Sequence, residues 1–462
     1  MSAQLNAVLA RIDTDLDASL VRLFDFLRIP SISTDSHWKA DCARAADWLQ
    51  KDLASLGFDA SIRQTPGHPV VMGHAKATKD QPHVLFYGHY DVQPVDPLEQ
   101  WTNPPFEPKL VEIAKGRKVI VARGACDDKG QVMTFLEACR AWKAVTGSLP
   151  VGITVMIEGE EETGSINLPT FVKANAKELK ADLALVCDTG MWDRRTPAIT
   201  TSLRGLLYEE VIIRCADRDL HSGLFGGAAA NPIHVLSRLI AALHKPNGKI
   251  AIPGFYDGVK NLPKAVKDGL AKLGLTEKSF LGTVGLKHST GETDRMLIEQ
   301  ISTRPTCDVN GIWSGYTGEG TKTVIAGEAR AKISFRLVGE QNPAAIQKAF
   351  RAFVKARIPK DCSVDFIGYK GSPALQLPWN SPALKAAEAA LKQEWGKAPA
   401  MVGSGGSIPI VGDFKRMLGM DSLLVGFGLD DDRVHSPNEK YDLSSFHKGT
   451  RSWARILAAL AK

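Results

Sequence analysis

Four short apolar runs limit what this chain can fold into more than any other feature: Val84 to Tyr87, Val151 to Ile157, Leu183 to Cys187 and Ser422 to Gly428. Rich in Val, Ile and Leu, they read as buried strands of an α/β sheet. Helix-like segments separate them. Ala43 to Leu56, Gln131 to Val145, Leu168 to Glu178 and Pro382 to Trp395 each carry apolar residues at three and four spacing. Alternating strands and helices imply a mostly parallel sheet flanked by helices.

Each run leads into a residue able to hold a metal. Gly88-His89-Tyr90-Asp91 follows the first, Glu158-Gly159-Glu160-Glu161-Glu162 the second, Asp188 the third, and a loop after the fourth brings His435. A fifth segment, Val119 to Val121, runs through Arg123-Gly124-Ala125-Cys126-Asp127-Asp128-Lys129-Gly130 and opens a helix. In open α/β sheets the binding crevice lies beyond the carboxyl ends of the strands, so these residues converge although they are distant in sequence. Taken singly, each has a bland explanation. Asp127-Asp128 could cap the helix that follows, and Glu160-Glu161-Glu162 could be a solvated loop. Together they make a set of imidazoles and carboxylates suited to zinc.

A chain of 462 residues exceeds one compact core. Between about Leu203 and Gly371 the texture changes to half-buried strand patterns, Leu207 to Cys215 and Thr323 to Val338, and helices at Pro232 to Leu243 and Pro343 to Ala356. The expected organisation is a catalytic domain formed by residues 1–202 and 372–462, with an α+β domain, 203–371, inserted into it. Periodicity assigns no elements from Lys245 to Gly320.

The 57 basic and 51 acidic residues are interspersed, so the net charge of +6 forms no block that would favour nucleic acid. No apolar stretch approaches the roughly 18 to 20 residues of a membrane span. Met1 to Leu27 reads as an amphipathic helix without the apolar run of a signal peptide. Seven cysteines without a Cys-x-x-Cys pair fit reduced thiols, and the expected location is cytoplasmic.

Gly88-His89-Tyr90-Asp91-Val92-Gln93-Pro94, Arg123-Gly124 with Asp127-Asp128-Lys129-Gly130, Glu161-Glu162-Thr163-Gly164-Ser165 and His435-Ser436-Pro437-Asn438-Glu439 together resemble the di-zinc metallopeptidases. That family includes carnosinase-type dipeptidases, aminoacylase, acetylornithine deacetylase, succinyl-diaminopimelate desuccinylase and glutamate carboxypeptidase. The resemblance runs from His89 to His435. It implies two Zn2+ per subunit, with Mn2+ or Co2+ as substitutes: His89, Asp127 and Asp188 around one, and Asp127, Glu162 and His435 around the other. It makes Glu161 the general base, Asp91 the carboxylate that orients His89, and Asp128 a structural acid.

The carnosinase-type branch is the nearest. His221-Ser222-Gly223, Thr323-Val324-Ile325, Arg336 and Gly405-Gly406-Ser407 are similar to its substrate-contacting positions. This implies that Arg336, Thr323, Ser407 and His221 bind substrate, that the inserted domain is a lid and dimerisation domain, and that His221 acts in trans within a homodimer. The implied reaction is metal-dependent hydrolysis of the amide bond of dipeptides or similar small peptides. An N-acyl (acetyl or succinyl) amino acid deacylase would use the same metal site. A catalytically silent binding protein is a rival from another class, opposed by the intact Glu161. Nucleotide binding would rest on Gly403-x-Gly405-Gly406, which lacks the G-x-G-x-x-G spacing.

Overall fold

In the computed structural model, which describes residues 2–76, 81–369, 371–378, 381–404 and 408–461, the chain divides into two compact units. The first gathers Met1–Thr201, Leu377–Met401 and Ile410–Lys462, and the second Ser202–Gln376 and Val402–Pro409. No helix among the described residues is long and apolar enough to cross a membrane.

The first unit is built on a sheet with a parallel centre. The His83–His89 strand lies between Gly152–Glu158 and Leu183–Val186, parallel to both, and Ser422–Leu424 continues the parallel set beside Leu183–Val186. Antiparallel strands flank it, Val70–Ala75 and Asp59–Arg63 on one side and Ala198–Leu203 on the other. Every residue of Gly152–Glu158 and Leu183–Val186 is buried, which is why these strands appear as uninterrupted apolar runs. The Lys129–Thr146 and Leu443–Leu460 helices supply the core: Phe135 stacks on Phe86 with centroids 3.7 Å apart, and Trp453 meets both rings edge-on. Burial of side chains this large contributes roughly 1.5–3 kcal/mol each. A side chain at Gly88 would bring its Cβ within 2.5 Å of Val132 and 2.8 Å of Asp128, so the glycine lets that helix begin against the strand end.

Several segments differ from the sequence pattern. Arg117–Val121 does not join the central sheet; it pairs antiparallel with Lys109–Ala114 and with Lys440–Asp442 in a separate three-stranded sheet. The Leu168 to Glu178 segment breaks at Asn175 into Leu168–Ala174 and Ala176–Leu179. The N-terminal segment is two helices, Ser2–Thr14 and Leu16–Leu27.

The second unit holds a four-stranded antiparallel sheet in the order Thr306–Ser314, Glu328–Leu337, Gly205–Arg214, Ser363–Gly368. Pro232–Ala241 and Pro343–Lys355 pack against it through Val235, Leu236, Leu239, Ile346 and Phe350. Both helices start the same way: an asparagine, Asn231 or Asn342, accepts a backbone N–H of the first turn, and proline fills the first helical position, where no donor is needed. The Thr323 to Val338 segment is broken at Ala326-Gly327, leaving Val324–Ile325 to pair with Leu220–His221.

Candidate metal centre

Two groups of side chains converge beyond the strand ends of the first unit. His89 is the last residue of His83–His89, Asp188 lies two residues past Leu183–Val186, and Glu161 and Glu162 open a 3-10 turn after Gly152–Glu158. Asp127 precedes the Lys129–Thr146 helix, and His435 precedes the Lys440–Asp442 strand. His89, Asp127 and Asp188 present ligand atoms within 4.8 Å of one another, and so do Asp127, Glu162 and His435. Asp127 belongs to both groups. Its Oδ1 is 3.0 Å from His89 Nε2 and its Oδ2 is 3.0 Å from His435 Nε2. Glu162 Oε2 lies 3.2 Å from His435 Nε2.

A further set of groups fixes this geometry. His89 Nδ1 faces the Asp91 carbonyl at 3.0 Å and its carboxylate at 3.3 Å; a proton held there leaves Nε2 as a lone-pair donor. The Asp91 carboxylate also accepts Ser33 Oγ–H at 2.6 Å and the backbone N–H groups of Glu161 and Glu162. One buried acid thereby aligns a histidine and two glutamates. Gln93 donates to Glu162 Oε2 at 2.7 Å.

Glu439 organises the loop that carries Asp127: one oxygen accepts from Arg123 and Gly124 N–H, the other from Cys126 and Asp127 N–H, at 2.9–3.0 Å. Asp128 makes no capping bond to its helix; it is buried and accepts His89 N–H at 3.2 Å. His435 adopts a left-handed φ of 63°, which costs a non-glycine residue roughly 1–2 kcal/mol. Asn438 holds its loop in place through bonds to Thr102 and Gln100.

The electrostatics are those of a crowded anionic pocket. Burial pushes the Glu161 carboxyl up to about 8; His89 opposes the rise, and the charges of Asp188, Asp91 and Glu162 add to it. Burial and the Asp127 charge push Asp188 up to about 7. Burial would raise Asp127 too, but hydrogen bonds from His435 and His89 hold it below the usual carboxylate range. Hydrogen bonds to Asp127 and Glu162 raise His435 to about 10. Burial disfavours a charge on His89, yet Asp127 and Asp91 raise it overall.

Among protein groups alone, protons on the histidines balance the carboxylates. Divalent cations that accept both imidazole and carboxylate balance the same charge and leave both imidazoles neutral ligands. The donor set, with one carboxylate offering an oxygen to each half, fits two such ions.

His221, Thr323 and Arg336 belong to the second unit. His221 and Thr323 are neighbours: His221 pairs with Val324, and Ser222 N–H donates to the Thr323 carbonyl at 3.1 Å. His221 is exposed, and its Nδ1 accepts Gly223 N–H at 3.0 Å, so the ring proton resides on Nε2. Arg336, in Glu328–Leu337, is half-buried opposite Thr306 and Leu206. Arg204 shares its surroundings: burial lowers the Arg204 guanidinium to about 10, and the charge of Arg336 adds to the effect. Ser407, with Gly405 and Gly406, lies outside the described residues. No sequence signal gives a role to Ser33, Gln93, Arg204 or Glu439. Arg123 and Glu439 both stand in recognisable motifs, but no spacing rule joins them.

Known proteins share this arrangement of chain and fold. The chain is 31% identical over 454 residues to the Cys-Gly metallodipeptidase DUG1 of Candida albicans, covering 93% of this chain and 92% of that protein. It is 30% identical over 433 residues to the Beta-Ala-His dipeptidase of Mus musculus, covering 91% and 87%. Its structure is similar to that of Sso-CP2, an M20 family metallo-carboxypeptidase from Sulfolobus solfataricus, with a TM-score of 0.81 and 30% identity over 96% of this chain and 99% of the other. The description "Peptidase family M20/M25/M40" matches residues 85–459, nearly the span that carries the clustered histidines and carboxylates, and the chain belongs to that family of metal-dependent peptidases.

Proposed function

We propose that this protein hydrolyses the amide bond of dipeptides or similar small peptides. His89, Asp127 and Asp188 hold one zinc ion in this reading, and Asp127, Glu162 and His435 the other, with Mn2+ or Co2+ as substitutes. The observation that carries it is Asp127, whose two oxygens each face a different histidine at 3.0 Å. When bound, the metal pair would polarise the scissile carbonyl and lower the pKa of a water molecule.

Glu161 accepts a proton from that water and returns it to the leaving amine. Its N–H is anchored on Asp91, which fixes the start of the side chain relative to His89. Arg336 binds the substrate's C-terminal carboxylate, for which a guanidinium offers paired donors. Thr323 and Ser407 contact the same substrate. The relatives named for Cys-Gly and Beta-Ala-His support a dipeptide, since each such substrate ends in a free carboxylate.

In this reading the protein is a homodimer, and the partner subunit's His221 donates its Nε2 proton to the carbonyl oxygen as negative charge develops there. Exposed apolar side chains support an interface on the second unit: Leu224 and Phe225 beside His221, and Ile312 and Trp313 on Thr306–Ser314 at the end of its sheet. Free thiols at all seven cysteines suit the cytoplasm. The test is a panel of dipeptides, N-acetyl and N-succinyl amino acids and longer peptides, offered to protein loaded with zinc or manganese and to chelated protein. Metal-dependent release of free amino acids from dipeptides is expected. Faster turnover of the N-acyl amino acids would replace this reading with a deacylase.

A further inference from the structure

All seven cysteines are free thiols, and five of them, Cys42, Cys126, Cys139, Cys187 and Cys307, are buried. Cys215 and Cys362 are half-buried, and they lie together. Cys215 follows the Gly205–Arg214 strand, Cys362 precedes Ser363–Gly368, and the antiparallel register sets Ser363 opposite Arg214. One step further along the same register, Cys362 stands opposite Cys215. The two Sγ atoms are in direct contact, 2.6 Å apart. Opposed residues of an antiparallel pair have Cβ atoms about 4.5–5.5 Å apart, close to the spacing a disulfide spans. The backbone therefore needs only a small adjustment to accept a bond.

The surroundings hold Cys215 in place. Its N–H donates to the Gly327 carbonyl at 3.1 Å, and Gly327 N–H donates in turn to Asp219 at 3.0 Å. Both ends of the turn that leads from Cys215 toward His221 are thus pinned to one residue. Neither cysteine has a part in the proposed hydrolysis.

We propose that Cys215 and Cys362 form a reversible disulfide across the sheet by exchange with a low-molecular-weight disulfide. The Cys362 thiolate attacks one sulfur of the small disulfide, whose S–S bond breaks and releases one small thiol. Cys215 then loses its proton and attacks the Cys362 sulfur of the mixed disulfide, and the second small thiol leaves. The protein loses two electrons and two protons, and the small disulfide gains both. Burial, with the Cys362 sulfur beside it, pushes the Cys215 thiol up to about 12, which makes Cys215 a poor first nucleophile and suits it to resolve the mixed disulfide in the second step. The closed loop of residues 215–362 contains His221, Thr323 and Arg336. Closing it restricts the unfolded chain more than the folded one.

The test uses the full-length protein, reduced, freed of reductant, equilibrated with glutathione disulfide, then unfolded in iodoacetamide and weighed. Alkylation of five of the seven cysteines is expected, with one peptide pair joining Cys215 to Cys362, and dithiothreitol restores all seven. The oxidised form should unfold at a midpoint higher by roughly 5 °C or more. Alkylation of all seven, a glutathione adduct that persists on either residue, or a different pairing would overturn the proposal. Cys362→Ser should abolish both the cross-link and the midpoint rise; a rise that survives in this variant would also overturn it.

Discussion

His89 in the first unit and His221 in the second represent two ways of presenting an imidazole. His89 is fully buried at the end of a seven-residue strand, with Asp127 on one ring nitrogen and Asp91 on the other. His221 is exposed on a two-residue strand, and the bond to its Nδ1 comes from Gly223, two residues along its own chain. The contrast extends to their neighbours. Around His89, carboxylates and backbone N–H groups interlock through Asp91 and Glu439, while Thr323 is exposed just before the Val324–Ile325 strand and Arg336 is half-buried on a sheet. Ligands to a metal must be held to a fraction of an ångström, which demands a supporting shell of buried bonds. Groups that take and release substrate gain from access and looser tethering. Substitutions in the first unit should therefore abolish chemistry for every substrate, and those in the second should leave metals bound and act in graded, substrate-dependent ways.

The largest expected effect tests the first half of this contrast. If one carboxylate serves both ions as proposed, Asp127→Ala should empty both metal positions together, and hydrolysis should fall to background. Elemental analysis beside an amine-release assay checks this. Two retained metals with measurable turnover would break the comparison at its strongest point.

Glu161→Gln should keep metals and substrate binding while slowing kcat by roughly 10²–10⁴-fold, the range for a lost general base. Near wild-type turnover in a fully metal-loaded variant would remove Glu161 from that role.

For the second unit, His221→Ala should lose about 10²–10³-fold in turnover with metal content unchanged. Mixing it with Glu161→Gln under conditions of subunit exchange sharpens the contrast, since mixed dimers hold one site with both groups intact. Recovery of up to about one quarter of wild-type activity is expected from random pairing. Absence of recovery after confirmed exchange would confine His221 to its own chain.

The smallest effect should come from Arg336→Ala, a fall of roughly 10- to 150-fold in kcat/KM from losing a charged hydrogen bond of about 1.5–3 kcal/mol. The loss should shrink for substrates with an amidated C-terminus. Equal losses on free and amidated substrates would detach Arg336 from the carboxylate.

The four parallel strands at the centre of the first unit are legible in the sequence because strands covered on both faces need apolar residues at every position, and His89, Glu161, Glu162 and Asp188 are legible as candidates because they stand just past such runs; the flanking strands Asp59–Arg63, Val70–Ala75 and Ala198–Leu203 are not. The sequence is silent where structure depends on distant pairing. The strand Thr306–Ser314 has a register shift between Val309 and Gly311 and many exposed residues, which erase its alternation. Lys440–Asp442 is three residues long and finds its partner, Arg117–Val121, more than 300 positions earlier. Glu439 closes the motif that starts at His435 but carries no role there; only the folded chain aims four donors at it. The second unit's His221 carries no periodic signal, and Thr323 only begins a strand pattern; resemblance alone marks either as a substrate contact.

The bonds from Glu439 to the Asp127 loop also bear on the order of events during synthesis. The acceptor for Asp127 N–H lies 312 residues downstream, which at about 5–20 residues per second amounts to roughly 15 to 60 s of translation. For most of that interval a nascent chain carries His89, Asp127, Glu162 and Asp188 without His435 or the acid that shapes the Asp127 loop. The inserted unit emerges meanwhile and has its own core to close. On the proposed reading, the metal centre would be completed only late in synthesis, and a chain truncated before His435 would carry the proposed general base without a complete place for the ions.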